Sequence, residues 1–124
     1  MPVTRVGRVM VPVSDQDAAI RFYTDTLGFS LAADVPFGEG DRWVEVAPPD
    51  GGTVLALVPP QGQYLTGRMT GIAIQTPDAR AVHDELRDKG ADVDGQLMGG
   101  DGGVPLMFFF RDQDGNQLMI VEGE

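Results

Sequence analysis

The sequence of 124 residues contains no cysteine, one histidine and one tryptophan. Without cysteine the chain forms no disulfide, has no thiolate nucleophile and offers no cysteine ligand to a metal ion. Metal chemistry with zinc, nickel, iron or manganese needs several nitrogen or oxygen ligands that converge on one point. No His/Asp/Glu cluster with the spacing of such ligands is present, although composition leaves an unorthodox carboxylate site open.

Positive charge is also scarce, because nine basic residues stand against 19 acidic ones and the net charge is −10. A surface of this kind repels phosphate backbones and anionic membranes. We therefore expect no nucleic-acid partner and no membrane association. The chain has no apolar run long enough to span a bilayer, and MPVTRVGRVMVPVSD lacks the pattern of a signal peptide. These absences predict a cytoplasmic protein.

With 42% hydrophobic residues the chain can bury a core, and its length fits one domain, residues 1–124. Residues 1–58 have the pattern of a βαβββ module. Apolar residues alternate at period two over residues 9–13, which predicts a half-buried strand. A helix capped by Ser14 or Asp15 follows and ends at Leu27-Gly28. Three further strands are predicted near residues 29–35, 42–47 and 53–58.

Residues 59–69 are rich in proline, glycine and polar side chains, which is typical of a connector. The same order of elements then returns over residues 70–124. A strand is predicted at 70–76, followed by a helix with Pro77 in its first turn and Lys89-Gly90 at its end. Three more strands are predicted near residues 92–98, 105–111 and 117–122, with a hairpin turn at Asp114-Gly115.

The two modules repeat at a fixed offset of 63 positions, which separates Asp15 from Asp78 and Val11 from Ile74. Two βαβββ modules would each leave one sheet face uncovered, so a pair of them in one α+β domain buries more than either alone. The alternative is two unrelated α+β stretches whose register coincides by accident. The matched order of elements favours the repeat.

Three segments carry a resemblance to a known family: VMVPVSDQDAAIRFYTDTLGF, RWVEVAPPDGGTVLALVPP and FFFRDQDGNQLMIVE. In order and spacing the chain resembles the vicinal oxygen chelate superfamily over nearly its whole length. That superfamily includes glyoxalases, extradiol dioxygenases, fosfomycin-resistance enzymes and bleomycin-resistance proteins. The resemblance implies a cupped mixed sheet with the helices on its outer face, and a homodimer. One such scaffold carries many activities, so it indicates fold more strongly than function.

In metal-dependent relatives, the pattern implies one metal ligand from the first strand and one from the last strand of each half. The matching positions here are Arg8, Ala56, Gly71 and Met119. Arginine only donates hydrogen bonds, alanine and glycine have no donor atom, and a lone thioether suits a hard divalent cation poorly. We therefore expect no metal and no other cofactor. The single histidine, His83, is expected to be a solvated residue on the surface of the second helix.

Period-two alternation assigns a second set of side chains to the face of the sheet opposite the helices. This predicts a concave cleft that is mostly apolar, as is usual for a small-molecule site. The candidate ligand-binding residues are Arg8, Met10, Trp43, Glu45, Ala56, Gly71, Gln75, Met107, Phe109 and Met119.

Each candidate also has a structural interpretation. Trp43 can stack on a ligand or pack in the core or a dimer interface. Arg8 can bind a carboxylate or phenolate of the ligand, or pair with Glu45. Met107 and Met119 can shape an adaptable pocket or fill irregular core space.

The favoured hypothesis is a protein without catalytic residues that binds a small apolar or aromatic molecule without a metal, in sequestration or resistance. The alternative is a lyase-like or dioxygenase-like enzyme that is metal-free or uses an unconventional metal. In the metal-free case, Glu45 beside Arg8 would act as the base. A third hypothesis is a structural or regulatory module that acts through its dimer surface.

Overall fold

The computed structural model describes residues 1–124 and divides them into two compact units, Met1–Thr66 and Gly67–Glu124. Each unit contains one four-stranded mixed sheet and one helix that packs against it. The α+β class and the two βαβββ modules predicted from the sequence are confirmed. Neither helix has the length and apolar character needed to cross a bilayer.

The first unit begins with a strand and a helix and then adds three strands. Its elements are β1 (Arg8–Pro12), α1 (Gln16–Arg21), a π-helical turn (Phe22–Thr26), β2 (Ser30–Phe37), β3 (Asp41–Ala47) and β4 (Val54–Val58). The strand order is β1-β4-β3-β2. Strands β1 and β4 are parallel, and the other neighbours are antiparallel.

The second unit repeats this layout. Its elements are β5 (Met69–Thr76), α2 (Ala79–Asp88), β6 (Asp92–Val93), β7 (Met107–Arg111) and β8 (Gln117–Glu122). The strand order is β5-β8-β7-β6, with β5 and β8 parallel. The first and last long strands are thus neighbours in both units.

The offset of 63 positions seen in the sequence also relates equivalent residue pairs in the two sheets. Val11 pairs with Leu57 in the first sheet, and Ile74 pairs with Ile120 in the second. Each member of the second pair lies 63 positions after its counterpart in the first. The repeat is therefore a repeat of hydrogen-bonded structure, and accidental register is ruled out.

Both helices begin at an aspartate N-cap. The side chains of Asp15 and Asp78 each accept a hydrogen bond of 3.1 Å from the backbone N–H three residues later. Aspartate is favoured at this position because its carboxylate satisfies an N–H group that the first turn leaves without a partner. Pro77 precedes the cap of α2, so its predicted place inside the first turn was wrong.

The first helix ends where the sequence predicted, but its last turn is wider than an α-helical one. The N–H of Leu27 donates to the carbonyl of Phe22 (3.2 Å), which is the spacing of a π-helix. This turn buries Tyr23 completely against its unit. Gly28, with φ +80°, then reverses the chain, as glycine can at the end of a helix.

Each core lies between a helix and one face of its own sheet. The core of the first unit comprises Val11, Val13, Ala19, Tyr23, Phe29, Val44, Val46, Leu55 and Leu57. The core of the second comprises Ala79, His83, Leu86, Phe108, Phe110, Leu118 and Ile120. Alternation along the strands sends the intervening side chains to the opposite face, which we call the open face of each sheet.

Strand β6 is much shorter than predicted, since pairing with β7 covers only Asp92 and Val93 instead of residues 92–98. The backbone leaves the ladder around Gly95 and returns in a single bridge between Met98 and Met107. Glycine weakens the interior of a strand, and Gly95 lies where the pairing stops. Strand β7 correspondingly begins at Met107, two residues later than predicted.

His83 is not the solvated surface residue that the sequence predicted. Its side chain is buried, and its Nε2 lies 2.7 Å from the carbonyl oxygen of Asp94. Its ring and that of Phe108 form a T-shaped pair with centroids 4.9 Å apart. Ala79, His83 and Leu86 follow the i, i+4, i+7 spacing of one helix face, which is the face that packs on the sheet. This spacing is the sequence signal that would have placed His83 in the core.

Candidate ligand-binding site

One row of side chains crosses the open face of the first sheet on all four strands. The strand register places Met10 beside Ala56, Ala56 beside Glu45, and Glu45 beside Ala33. Residues directly opposite each other on neighbouring strands project to the same side. Small and apolar side chains therefore surround a single carboxylate.

Aromatic side chains lie on the same face toward the other end of β3. Trp43 is paired with Val35 on β2. Its ring and that of Phe37 form a T-shaped pair whose centroids are 5.9 Å apart. Val35 and Phe37 are exposed. Two predicted site residues, Trp43 and Glu45, thus share this face with two apolar residues that the sequence analysis did not single out.

Val35 and Phe37 were missed because Pro36 suggested a turn after residue 35. In the structure β2 runs to Phe37 and lies at the edge of its sheet. An edge strand tolerates proline, since one side of its backbone has no ladder to pair with. The alternation of Val35 and Phe37 around the proline was the signal for a longer strand.

The carboxylate of Glu45 is the centre of a hydrogen-bonded triad with Arg8 and Trp43. Nε of Arg8 donates to Oε2 at 2.5 Å, and Nε1 of Trp43 donates to the same oxygen at 2.8 Å. Glu45 is only 7% exposed, whereas the side chain of Arg8 is 57% exposed. Of the two interpretations of Arg8, the pairing with Glu45 is therefore present in the structure.

This arrangement fixes the charge of Glu45. The hydrogen bond from Arg8 lowers the pKa of its carboxyl group, burial acts in the opposite direction, and the hydrogen bond from Trp43 lowers the pKa further. The net shift is downward from the usual 4.5, so Glu45 is ionised at neutral pH. It is consequently a strong hydrogen-bond acceptor and a weak base.

The triad leaves polar atoms available to a ligand. Both hydrogen bonds to Glu45 fall on Oε2, so Oε1 accepts none. Arg8 uses only Nε in this contact, which leaves the planar fork of Nη1 and Nη2 for other acceptors. The open face of the first sheet thus combines an acceptor and two donors with an indole ring.

The open face of the second sheet is built differently. Met119 lies beside Ala73 on one side and Phe109 on the other, while Met107 and Gln75 lie on opposite sides of Val121. Phe109 projects away from the buried Phe108 and Phe110, as alternation predicted. These side chains form a mostly apolar surface.

Two predicted site residues of the second unit have backbone-related roles. Gly71 has a φ of +76°, at the point where the register of β5 against β8 shifts. Only glycine adopts this conformation readily, and such a residue forms a β-bulge. Gln75 donates from Nε2 to the backbone carbonyl of Glu124 at 2.5 Å, so its amide is engaged within the unit.

The ten predicted site residues therefore divide evenly between the units. Those of the first unit are Arg8, Met10, Trp43, Glu45 and Ala56, and those of the second are Gly71, Gln75, Met107, Phe109 and Met119. Hydrogen bonds join only Arg8, Trp43 and Glu45 directly. The first unit therefore holds the polar chemistry of the candidate site.

Sequence and structure comparisons agree with this layout. The Glyoxalase/Bleomycin resistance protein/Dioxygenase superfamily matches residues 5–120 of the chain. The chain belongs to this superfamily. The resemblance to vicinal oxygen chelate proteins that the sequence indicated is thereby confirmed.

Three other proteins are similar to the chain over nearly their whole length. YetH of Bacillus subtilis, an uncharacterized protein, is 30% identical over 97% of this chain and 99% of its own. TnmS3, an antibiotic binding protein from Streptomyces sp. CB03234, is 35% identical, with a TM-score of 0.86 over 100% of this chain and 99% of its own. A superfamily member from Sphaerobacter thermophilus is 31% identical, with a TM-score of 0.89 over 98% of both chains.

The four positions that the resemblance implies for metal ligands do not suit a metal in this chain. In the first unit they are occupied by Arg8 on β1 and Ala56 on β4, and in the second by Gly71 on β5 and Met119 on β8. No group of three or more His, Asp or Glu side chains in the structure is placed to hold a metal ion. A divalent cation would meet a guanidinium group where it needs a ligand.

Proposed function

We propose that this protein binds a small apolar or aromatic molecule without a metal ion, and that it acts in sequestration or resistance. The observation that carries the proposal is the triad of Arg8, Trp43 and Glu45 on an open face that is otherwise mostly apolar, with Asp41 opposite Phe37 at its end. A mostly apolar surface with a few fixed polar groups is typical of a small-molecule site. The similarity to TnmS3, an antibiotic binding protein, supports a ligand of this kind.

Trp43 is the main contact surface in this proposal. Its Nε1–H donates a hydrogen bond to Glu45, and its ring forms a T-shaped pair with that of Phe37, so both contacts restrict its orientation. A ring whose orientation is already restricted loses little conformational freedom when a ligand binds. An indole offers a large apolar face for stacking by a flat molecule.

The same geometry favours binding over proton abstraction. A general base is most effective when its pKa lies near the working pH. The pKa of Glu45 is instead lowered by Arg8 and Trp43, which stabilise the carboxylate and weaken it as a base. Glu45 is therefore suited to accept a hydrogen bond from a ligand.

The proposal is tested by a fluorescence screen of the full chain against planar aromatic metabolites and antibiotics. Trp43 is the only tryptophan, so all of the indole emission comes from this face. For compounds that change the emission, calorimetry on Trp43→Ala should show affinity reduced by about tenfold or more, since aromatic contacts contribute about 1–3 kcal/mol each.

A matched control is Tyr64→Ala, which removes an exposed aromatic side chain from the segment between β4 and β5. Its affinity should equal that of the unmodified chain. The proposal is wrong if no compound in the screen changes the emission of Trp43. Equal affinities of Trp43→Ala and the unmodified chain would also contradict it.

A further inference from the structure

We propose that the site selects uncharged aromatic compounds that carry a hydrogen-bond acceptor and a donor on one edge, with primary carboxamides as the simplest class, and that it discriminates against the corresponding carboxylates. This inference rests on the proposed function and specifies its ligand class. It follows from the way in which Arg8 and Glu45 pair.

The donor half of the site is the free end of the Arg8 guanidinium group. Because Arg8 reaches Glu45 through Nε alone, Nη1 and Nη2 remain as a planar pair of donors on a side chain that is 57% exposed. A carbonyl oxygen of a ligand can accept from this fork. Arginine keeps its charge at all physiological pH values, so the donors are always present.

The acceptor half is Oε1 of Glu45. Its partner oxygen, Oε2, already accepts from Arg8 and Trp43, and the carboxylate is buried and ionised. An ionised carboxylate accepts hydrogen bonds and donates none. A ligand that presents an N–H or O–H group to Oε1 therefore gains a charge-assisted hydrogen bond.

Charge decides between a carboxamide and a carboxylate. The positive charge of Arg8 is already balanced by Glu45, so a neutral ligand leaves the pair balanced, whereas a carboxylate adds an uncompensated negative charge. The ligand carboxylate would also face the anionic Glu45 without a proton to donate. If Arg8 turned toward the ligand, the buried carboxylate of Glu45 would lose its ionic partner, which is unfavourable.

The aromatic part of the ligand has a fixed position relative to this polar edge. Nε of Arg8 and Nε1 of Trp43 both lie within hydrogen-bonding distance of the same oxygen. A carboxamide bonded directly to a ring system can therefore contact the triad while its rings lie against the indole and Phe37. Naphthalene carboxamides match this combination of flat surface and polar edge.

The test uses 2-naphthamide, 2-naphthoate and N,N-dimethyl-2-naphthamide, each titrated at pH 7 into the ¹⁵N-labelled full chain. The single indole N–H signal belongs to Trp43, which bonds to Glu45, so its chemical shift reports binding at the triad. We expect 2-naphthamide to bind about tenfold more tightly than each of the other two compounds. 2-Naphthoate has no N–H donor and adds a negative charge, and N,N-dimethyl-2-naphthamide has no N–H donor.

Glu45→Gln removes the charge that excludes carboxylates. In this variant 2-naphthoate should bind at least as tightly as 2-naphthamide, since Arg8 is no longer neutralised. Asp50→Asn is the control, because it removes one negative charge from an exposed turn and should keep the preference of the unmodified chain. The comparison with the dimethyl compound needs no variant, so it remains decisive if Glu45→Gln does not fold.

Equal or tighter binding of 2-naphthoate by the unmodified chain would overturn the selectivity proposal, as would equal binding of the dimethylated amide. Unsubstituted naphthalene separates the two proposals. If naphthalene shifts the indole signal while 2-naphthamide binds no more tightly than 2-naphthoate and the dimethylated amide, the selectivity proposal fails and the proposed aromatic binding stands. If none of the four compounds shifts the signal, and the fluorescence screen is also negative, both fail.

Discussion

Glu45 shows how one ionised side chain is accommodated among apolar neighbours on a sheet face. Its two hydrogen bonds come from a guanidinium group and an indole N–H, and both converge on one oxygen. Hydrogen bonds to a charged group stabilise more strongly than those between neutral groups, and they offset the loss of solvent around the carboxylate. The triad is thus a structural element as well as a candidate ligand contact.

The effect of Glu45 on stability should depend on pH. Its pKa in the folded chain lies below the usual 4.5, so its ionised form stabilises the fold above that value, and this contribution disappears as the pH falls through the lowered pKa. At pH 7, Glu45→Gln should reduce the free energy of unfolding by about 1 kcal/mol, because the ion pair with Arg8 is lost and the hydrogen bond from Trp43 becomes a neutral one.

The measurement is urea unfolding of the unmodified chain and Glu45→Gln across a series of pH values. The difference between them should be largest near neutral pH and should shrink as the pH falls below 4.5, the usual pKa at which Glu45 is half protonated in the unfolded chain. A difference that is constant over this range would show that the charge of Glu45 contributes nothing.

The sequence predicted the sheet face of individual side chains well, but it did not predict which side chains form hydrogen bonds with one another. Alternation placed Trp43, Glu45 and Phe109 on the open faces, and all three lie there. The side-on contact through Nε of Arg8 depends on side-chain torsions that no pattern encodes. His83 was wrongly predicted at the surface, since a polar imidazole favours solvent, whereas its helical spacing from Ala79 and Leu86 places it in the core.

At the scale of single elements, the two aspartate caps allow a direct comparison. Asp15→Ala and Asp78→Ala should each lower the free energy of unfolding by about 1 kcal/mol, since each removes the acceptor for one N–H of a first helical turn. Asp50→Ala is the control, because Asp50 lies in an exposed turn. Chemical denaturation measures all three, and a loss in the control equal to that in the caps would contradict the capping role.

The bulge in β5 gives a second prediction for an element. Gly71→Ala should destabilise the chain by about 1–2 kcal/mol, because an L-residue is disfavoured at a φ of +76°. Gly7→Ala is the matched control, since Gly7 has no positive φ and a Cβ there would meet nothing within 4 Å. Thermal unfolding should show a clear loss for Gly71→Ala alone. Equal behaviour of the two variants would mean that the backbone at Gly71 is relaxed.

Strands with an uninterrupted alternating pattern were predicted well. Strands that contain a proline or glycine were predicted with the wrong ends. Strand β8 was predicted with its exact ends, because Gln117–Glu122 alternates cleanly and follows a glycine turn. In contrast, β6 stops early where the chain leaves the ladder near Gly95, and β2 continues through Pro36 because it is an edge strand. Whether a proline or glycine ends a strand depends on its place in the sheet, which local sequence does not contain.

At the scale of the whole molecule, the resemblance predicts a homodimer. Strand β2 lies at the edge of its sheet, so its outer backbone groups can pair with a second chain. Equilibrium sedimentation at micromolar concentration should give twice the mass of one chain. A single-chain mass under these conditions would contradict the dimer and leave the ligand proposal unaffected.

The two-module fold was predictable because the same βαβββ pattern occurs twice in the chain. The offset of 63 positions reappears in strand pairing and in both helix caps, so each module supports the assignment of the other. Function was less accessible, since the superfamily scaffold supports many chemistries and only a few side chains distinguish them. Here those side chains are Arg8, Trp43 and Glu45.

The most direct test of metal-free binding at this triad is an intermolecular nuclear Overhauser effect. The ¹⁵N-labelled chain is first treated with EDTA and then mixed with the tightest-binding aromatic compound from the fluorescence screen. We expect a cross-peak between the compound's ring protons and the indole N–H of Trp43, with the same affinity as before chelation. Loss of binding after chelation, or cross-peaks only to residues away from Trp43, would contradict metal-free binding at the triad.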